Sequence, residues 1–215
     1  MDRGVVPVEA GYRVTLTYNL HVQEKDLYLA LEPIIRQDEI DFRDVLKGLL
    51  EDPTFLPTGG TLGFGLRHQY AGKDMNELIK DLHHCVKGSD AIVYRVCTEL
   101  GLGVRFRVFY HNPYEGHQVL LGKGFPTEDS VFDVYETEFW YALMEHGGSV
   151  IKGPGKGRRY EVHWVTDLTN FNQHRLVCSM YGNEAYTEFQ YGFVCLIVGV
   201  GPKDDRAAGS QQERP

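Results

Sequence analysis

The chain has 215 residues, with 22 Lys+Arg against 30 Asp+Glu and a formal net charge of −8 at pH 7. A surface with a sequence pI near 5.6 repels a polyphosphate, and no basic run is longer than Arg158-Arg159, which excludes a general nucleic-acid binder. Apolar residues at 42% and charged residues at 24% exclude a disordered or fibrous chain, and the length allows one domain, or one domain plus part of another.

The first clear element is a strand over residues 12–22. Tyr12, Val14, Leu16, Tyr18, Leu20 and Val22 point one way, and Arg13, Thr15, Thr17, Asn19 and His21 the other. Residues 39–50 place Phe42, Val45, Leu46, Leu49 and Leu50 at helical spacing, and Pro53 cannot continue that helix. A second helix is predicted over 74–86, stopped near Gly88. A third starts at Ser89 or Asp90, either of which can cap it, and runs to Leu100 before Gly101. Strands follow at 104–110 and 118–121, separated by the turn-rich residues 111–116.

Residues 134–146 read as a helix ended by Gly147-Gly148, and residues 153–157 as a glycine-rich loop. Strands at 160–165 and 191–200 complete the set, the second almost wholly apolar and therefore central. Residues 203–215 offer nothing to bury and are expected to be a disordered tail. The longest apolar stretch, 191–200, is about half of the roughly 20 residues a spanning helix needs. With no basic-then-apolar leader, an intracellular protein, cytoplasmic or nuclear and away from membranes, is expected.

None of the nine histidines begins an HxD, HxE or HExxH sequence. His83, His84 and Cys85 are consecutive on a predicted helix, where neighbours differ by about 100° in direction, so helix-surface side chains are expected there rather than a metal site. The run Gly59-Gly60-Thr61-Leu62-Gly63-Phe64-Gly65 lacks both the GK[ST] ending and the GxGxxG spacing of phosphate cradles, and reads as a turn leading into a strand. Gly153 to Arg159, with Lys156, Arg158 and Arg159, reads as a solvated loop. Cys85, Cys97, Cys178 and Cys195 form no CxxC pair, so buried reduced thiols are expected.

Residues 8–20, Val8-Glu9-Ala10-Gly11-Tyr12-Arg13-Val14-Thr15-Leu16-Thr17-Tyr18-Asn19-Leu20, closely resemble the end of the catalytic domain in fungal proteins with a prolyl 4-hydroxylase-like Fe(II)/2-oxoglutarate dioxygenase domain. Later segments resemble the C-terminal region of the same proteins. They are Asp52-Pro53-Thr54-Phe55-Leu56-Pro57 with the run 59–65, then Lys87-Gly88-Ser89-Asp90-Ala91, and Tyr181-Gly182-Asn183-Glu184-Ala185. The four matches stand in the family's order and span about residues 5–202.

The resemblance implies Fe(II) and 2-oxoglutarate as cofactors, with iron held by an HxD pair and a distal His. The far carboxylate of 2-oxoglutarate then falls to a basic residue about ten positions beyond that His. Arg13 matches the basic residue, and Thr15, two residues on, projects from the same strand face toward the same oxygens. Ten positions before Arg13 stands Arg3, so the distal His is absent, and the HxD pair would lie upstream of Met1. On the residues alone, Arg13 also fits the solvated polar face of an amphipathic strand.

The architecture expected is α+β. Residues 1–22 would be the terminal strand of a double-stranded β-helix, or jelly roll. Residues 23–202 would form helices packed on a largely antiparallel sheet, and 203–215 the tail. For function, the resemblance implies the C-terminal part of an Fe(II)/2-oxoglutarate oxygenase acting on an unknown protein or small-molecule substrate. A non-catalytic partner-binding module derived from that family is the alternative. An unrelated enzyme using Tyr181, Glu184 or the glycine loops is a third.

Overall fold

The computed structural model describes residues 36–70, 75–111, 116–124, 136–153, 159–180 and 186–209. The chain divides into two compact units, Met1–Ile35 and Arg36–Pro215, and every described residue belongs to the second. The expected strand at 12–22, and with it the jelly-roll assignment, lies outside the described residues.

The helices form where an apolar stripe at helical spacing meets the sheet. In α1 (Gln37–Glu51) Leu46 is buried, with Phe42 and Leu50 one turn to either side of it. In α2 (Met75–Cys85) the stripe is Leu78, Ile79 and Leu82, and in α3 (Gly88–Glu99) it is Ile92, Val96 and Cys97. In α4 (Glu136–Glu145) it is Phe139, Trp140 and Leu143. Gly147, at φ +83°, ends that helix in a conformation that a side chain would oppose. The third helix takes neither Ser89 nor Asp90 as its cap: Lys87 occupies that position, because the Asp90 side chain is turned onto an earlier segment.

Seven strands make one mixed sheet: β1 (Gly60–Gly65), β2 (Gly103–His111), β3 (Gln118–Leu121), β4 (Ser149–Lys152), β5 (His163–Thr166), β6 (Gln173–Met180) and β7 (Tyr186–Val200). The order is β4-β3-β2-β7-β1-β5, with β6 also on β7. All pairs are antiparallel except β1 with β5. The centre is β7. Its residues 192–199 pair with β2, and its other edge is taken first by β6, up to Phe193, and then by β1, from Cys195 to Val200.

This sheet is strongly curled, and the chain itself gives the measure. Tyr160 donates its backbone N–H to Val150 of β4 at 2.8 Å, while His163 is already in register with Leu62 of β1, near the opposite end of the strand order. Three residues span at most about 11 Å, whereas β4 and β5 would be about 24 Å apart in a flat sheet. Across the curl, Trp164 of β5 meets Phe109 of β2 edge to face at 5.3 Å, with two strands between them in the order.

The two faces follow from strand alternation. Outward, Phe106, Val194, Leu196, Val198, Leu62 and Phe64 pack under α1, α2 and α3, and Val108, Tyr110, Val119 and Leu121 pack under α4. Inward, Phe109, Leu120, Cys195 and Ile197 form a separate cluster with Trp164, Val162, Ile151, Leu168 and Phe193. The inner lining is thinned where another segment crosses it. A Cβ on Gly63 would fall 2.6 Å from the Trp164 ring, and one on Gly65 would strike the Asp167 carbonyl.

The α+β expectation agrees with this fold, and the expected strands and helices between 39 and 121 lie within two residues of the observed ones. Three features differ. β7 begins five residues before the expected strand, and β4 and β6 had no counterpart in the reading. The expected tail is helical over α5 (Lys203–Gly209), because Arg206 has carbonyls to reach: its guanidinium donates to Leu50 O at 3.3 Å, Phe55 O at 2.9 Å and Leu56 O at 2.6 Å.

Candidate functional site

The densest polar constellation among the described residues surrounds Asp90, in the first turn of α3, whose carboxylate is only 5% exposed. A buried carboxylate must have its lone pairs filled. Asp90 receives the backbone N–H of Arg67 at 2.8 and 3.0 Å, that of His68 at 3.0 Å, and the Tyr70 hydroxyl at 2.8 Å; the His68 Nδ1 lies 3.3 Å away. Its place in the first helical turn adds the favourable end of the helix dipole.

The same segment is gripped from the other side by the turn before β6. Asn172 Nδ2 donates to Leu66 O at 3.1 Å and His68 O at 2.8 Å, and Thr169 Oγ1 donates to Leu66 O at 2.6 Å. Asn172 is 1% exposed, and its Oδ1 has no hydrogen-bond partner. The Tyr70 hydroxyl accepts the backbone N–H of Lys87 at 3.2 Å. Burial, reinforced by the Asp90 carboxylate and opposed by that N–H, raises the phenol above its ordinary value of 10.0, so Tyr70 stays protonated and donating.

The His68 ring packs against Gly88, whose φ of +55° and lack of a Cβ leave the room it occupies. His68 keeps a 36% exposed side chain. A carboxylate holding an imidazole in place is the geometry of a general base. Here, however, the Asp90 oxygens are shared among two backbone amides and a phenol, which makes the cluster first a latch joining the exit of β1 to the start of α3.

A second buried carboxylate joins α1 to α3. Glu39 is 4% exposed and receives Arg95 Nη2 at 2.6 Å and Nε at 3.2 Å in a forked pair, with Arg43 at 3.9 Å. The hydrogen bonds from Arg95 hold its pKa below the usual 4.5, against the opposing effect of burial.

Of the residues singled out in the sequence, Arg13 and Thr15 lie outside the described residues, as do Tyr181 and Glu184. The run 59–65 is a turn into a strand, as expected, and Thr61, Leu62 and Phe64 are buried within it. His83 and His84 sit on the exposed surface of α2 with ring centroids 3.7 Å apart. Among the described residues no three His, Cys, Asp or Glu side chains come together in a way that could hold a metal ion.

Cys97 and Cys195 are buried, and burial pushes the Cys97 thiol up to about 12. Cys85 departs from the expectation of burial: it is exposed, at the last position of α2. The Asp90 latch was missed in the sequence because its partners are mostly backbone amides 22 and 23 residues upstream, which leave no mark on residue type.

No helix among the described residues is long and apolar enough to cross a membrane. No protein-family model, no curated protein and no solved structure matches the chain.

Proposed function

We propose that the chain is the C-terminal part of an Fe(II)- and 2-oxoglutarate-dependent dioxygenase of the prolyl 4-hydroxylase-like type. In this reading Arg13 and Thr15 anchor the far carboxylate of 2-oxoglutarate, and residues 36–209 are a non-catalytic body. The observation that carries the reading is the latch. Two of the segments on which the resemblance rests, 59–65 with its continuation to Tyr70 and 87–91, are joined through Asp90. They are therefore sites where the fold constrains the sequence, as segments shared through common architecture would be.

The iron ligands of such an enzyme do not fit this chain. No histidine begins HxD, Arg3 stands where the distal His would be, and the described residues bring no ligand set together. Iron is therefore assigned to no residue here, and no catalytic step is derived. Residues 1–215 alone should release no succinate from 2-oxoglutarate. Anchoring by a charged pair of hydrogen bonds should give binding of about millimolar strength. Equilibrium dialysis with labelled 2-oxoglutarate on the purified chain and on Arg13→Ala tests this. Binding undiminished by the substitution, or Fe(II)-dependent succinate formation, would sink the reading.

A partner-binding role for the body is the second reading. It is favoured by Val45 (64% exposed) and Leu49 (40% exposed), which stand one turn apart on the outer side of α1.

A further inference from the structure

Three described arginines are half-buried: Arg43, Arg107 and Arg206. Arg43 pairs with Glu99 at 2.5 Å, and Arg206 donates to three carbonyls. Among the described residues the guanidinium of Arg107 makes neither a hydrogen bond nor an ion pair, and the same is true of Arg105. A partly desolvated guanidinium has given up some of its water without receiving acceptors in return, so the position is one that an incoming acceptor would complete.

Both side chains belong to the inner face of the curl. Phe109, of the same parity on β2, is in the inner cluster, and Arg107 and Arg105 stand directly opposite Cys195 and Ile197. Residues two apart on a strand are separated by about 7 Å, so both forks can reach one small ligand. Arg107 is positioned by its neighbour: its Nη1 lies where a Cβ on Gly122 would be, and Lys123 follows.

Beyond Arg105 the next inner-face positions of β2 and β7 are glycines. Gly103 and Gly199 pair with each other, and a Cβ built on either would meet only the other's carbonyl oxygen, at 3.8 and 3.6 Å. In a chain of net charge −8, residues 103–111 and 118–124 contain no Asp or Glu.

We infer that Arg105 and Arg107, beside the Gly103–Gly199 pair of the inner face, form a binding site for a small molecule bearing a carboxylate or phosphate group. The planar forks suit paired oxygens of either group. The glycine pair leaves space for the few atoms attached to it. The site uses residues other than those of the 2-oxoglutarate anchor proposed at Arg13, and an Arg13→Ala background distinguishes the two.

Isothermal titration calorimetry of the full Arg13→Ala chain at low ionic strength, with malonate and separately with inorganic phosphate, tests the inference. Saturable one-to-one binding of at least one anion is expected, weakened at least tenfold by Arg105→Gln and by Arg107→Gln. Gly122→Ala, which keeps both charges but places a methyl where the Arg107 guanidinium lies, should weaken it similarly. Arg67→Gln and Arg159→Gln, which remove exposed charges elsewhere, should leave it unchanged. Tighter malonate binding supports a carboxylate ligand, and tighter phosphate binding a phosphate ester. Saturable binding of neither anion overturns the inference, as does equal weakening by the Arg67 and Arg159 variants. Arg105 is exposed and its substitution does not threaten the fold, so unchanged affinity in Arg105→Gln also overturns it.

Discussion

Asp90 and Glu39 are both buried acids, yet they respond to substitution and pH for different reasons. Asp90→Asn keeps the shape but puts an amide N–H donor against the Arg67 and His68 amides or the Tyr70 hydroxyl, leaving buried donors without an acceptor. A loss of about 3 kcal/mol is expected, the scale of a buried charged hydrogen-bond set losing its acceptor, and urea unfolding of the variant measures it. For Glu39 the folded pKa lies below the unfolded one, so the folded state binds the proton less tightly. Its stabilisation is full above the ordinary pKa of 4.5 and is lost as the pH falls through the lower, folded value. The difference in melting temperature between the parent chain and Glu39→Gln should therefore shrink on acidification from pH 6 to pH 3. A gap that stays constant would show that the Arg95 pair does not act through ionisation. Neither role was legible beforehand. The sequence marks Glu39 as the first residue of a helix, and Asp90 as a possible cap within one of the resembling segments, but not their partners, which are distant in sequence.

At the scale of elements, legibility followed length and periodicity. The stripe of α1 and the alternation of β2 persist for nine residues or more, and each was placed within two residues of its observed ends. β4 has only four residues, too few to establish a period of two; β3 and β5 are as short, and the turn signals before β3 place it, whereas the strand expected at 160–165 begins three residues before β5. β6 was missed although it has eight residues, because His174, Arg175, Cys178 and Ser179 among the apolar ones blur any alternation. The C-terminal helix α5 was missed for a different reason: its attachment is polar. Arg206 covers carbonyls at the end of α1 and in the turn after it, so Arg206→Ala leaves those acceptors to water and removes the link. About 1–2 kcal/mol should be lost. Amide hydrogen exchange should show faster exchange in residues 49–57 than in the core strands. Unchanged exchange there would mean that α5 is not attached through this side chain.

At the scale of the molecule, the curl is set by which side chains are missing as much as by which are present. Trp164 can lie over β1 because Gly63 has no side chain beneath it, and residues 167–168 can cross Gly65 for the same reason. Gly65→Ala would drive a methyl into the Asp167 carbonyl, a backbone atom that cannot rotate away. The variant should be recovered largely insoluble or with a melting temperature lowered by more than 5 °C, a shift that corresponds to roughly 1 kcal/mol or more in a chain of this size. Circular dichroism of the purified variant checks this. The glycines themselves were visible in the sequence. The crossing segments that require them, about 100 residues later, were not.

The place of β7 in the sheet has a consequence for the order of synthesis. The strand that pairs with β1, β2 and β6 is also the last of the seven described strands to leave the ribosome. Until residues 186–200 emerge, β1 and β2 have been made but cannot complete their ladders, and each presents an open apolar edge to solvent or to any other nascent chain. A message truncated between codons 146 and 185 would thus yield a product with every helix from α1 to α4 and no centre for them to cover. Such products should be degraded or captured by chaperones rather than accumulate. Pulse-chase labelling of chains ending at residue 185 and at residue 209 would reveal the difference as a short half-life for the first alone.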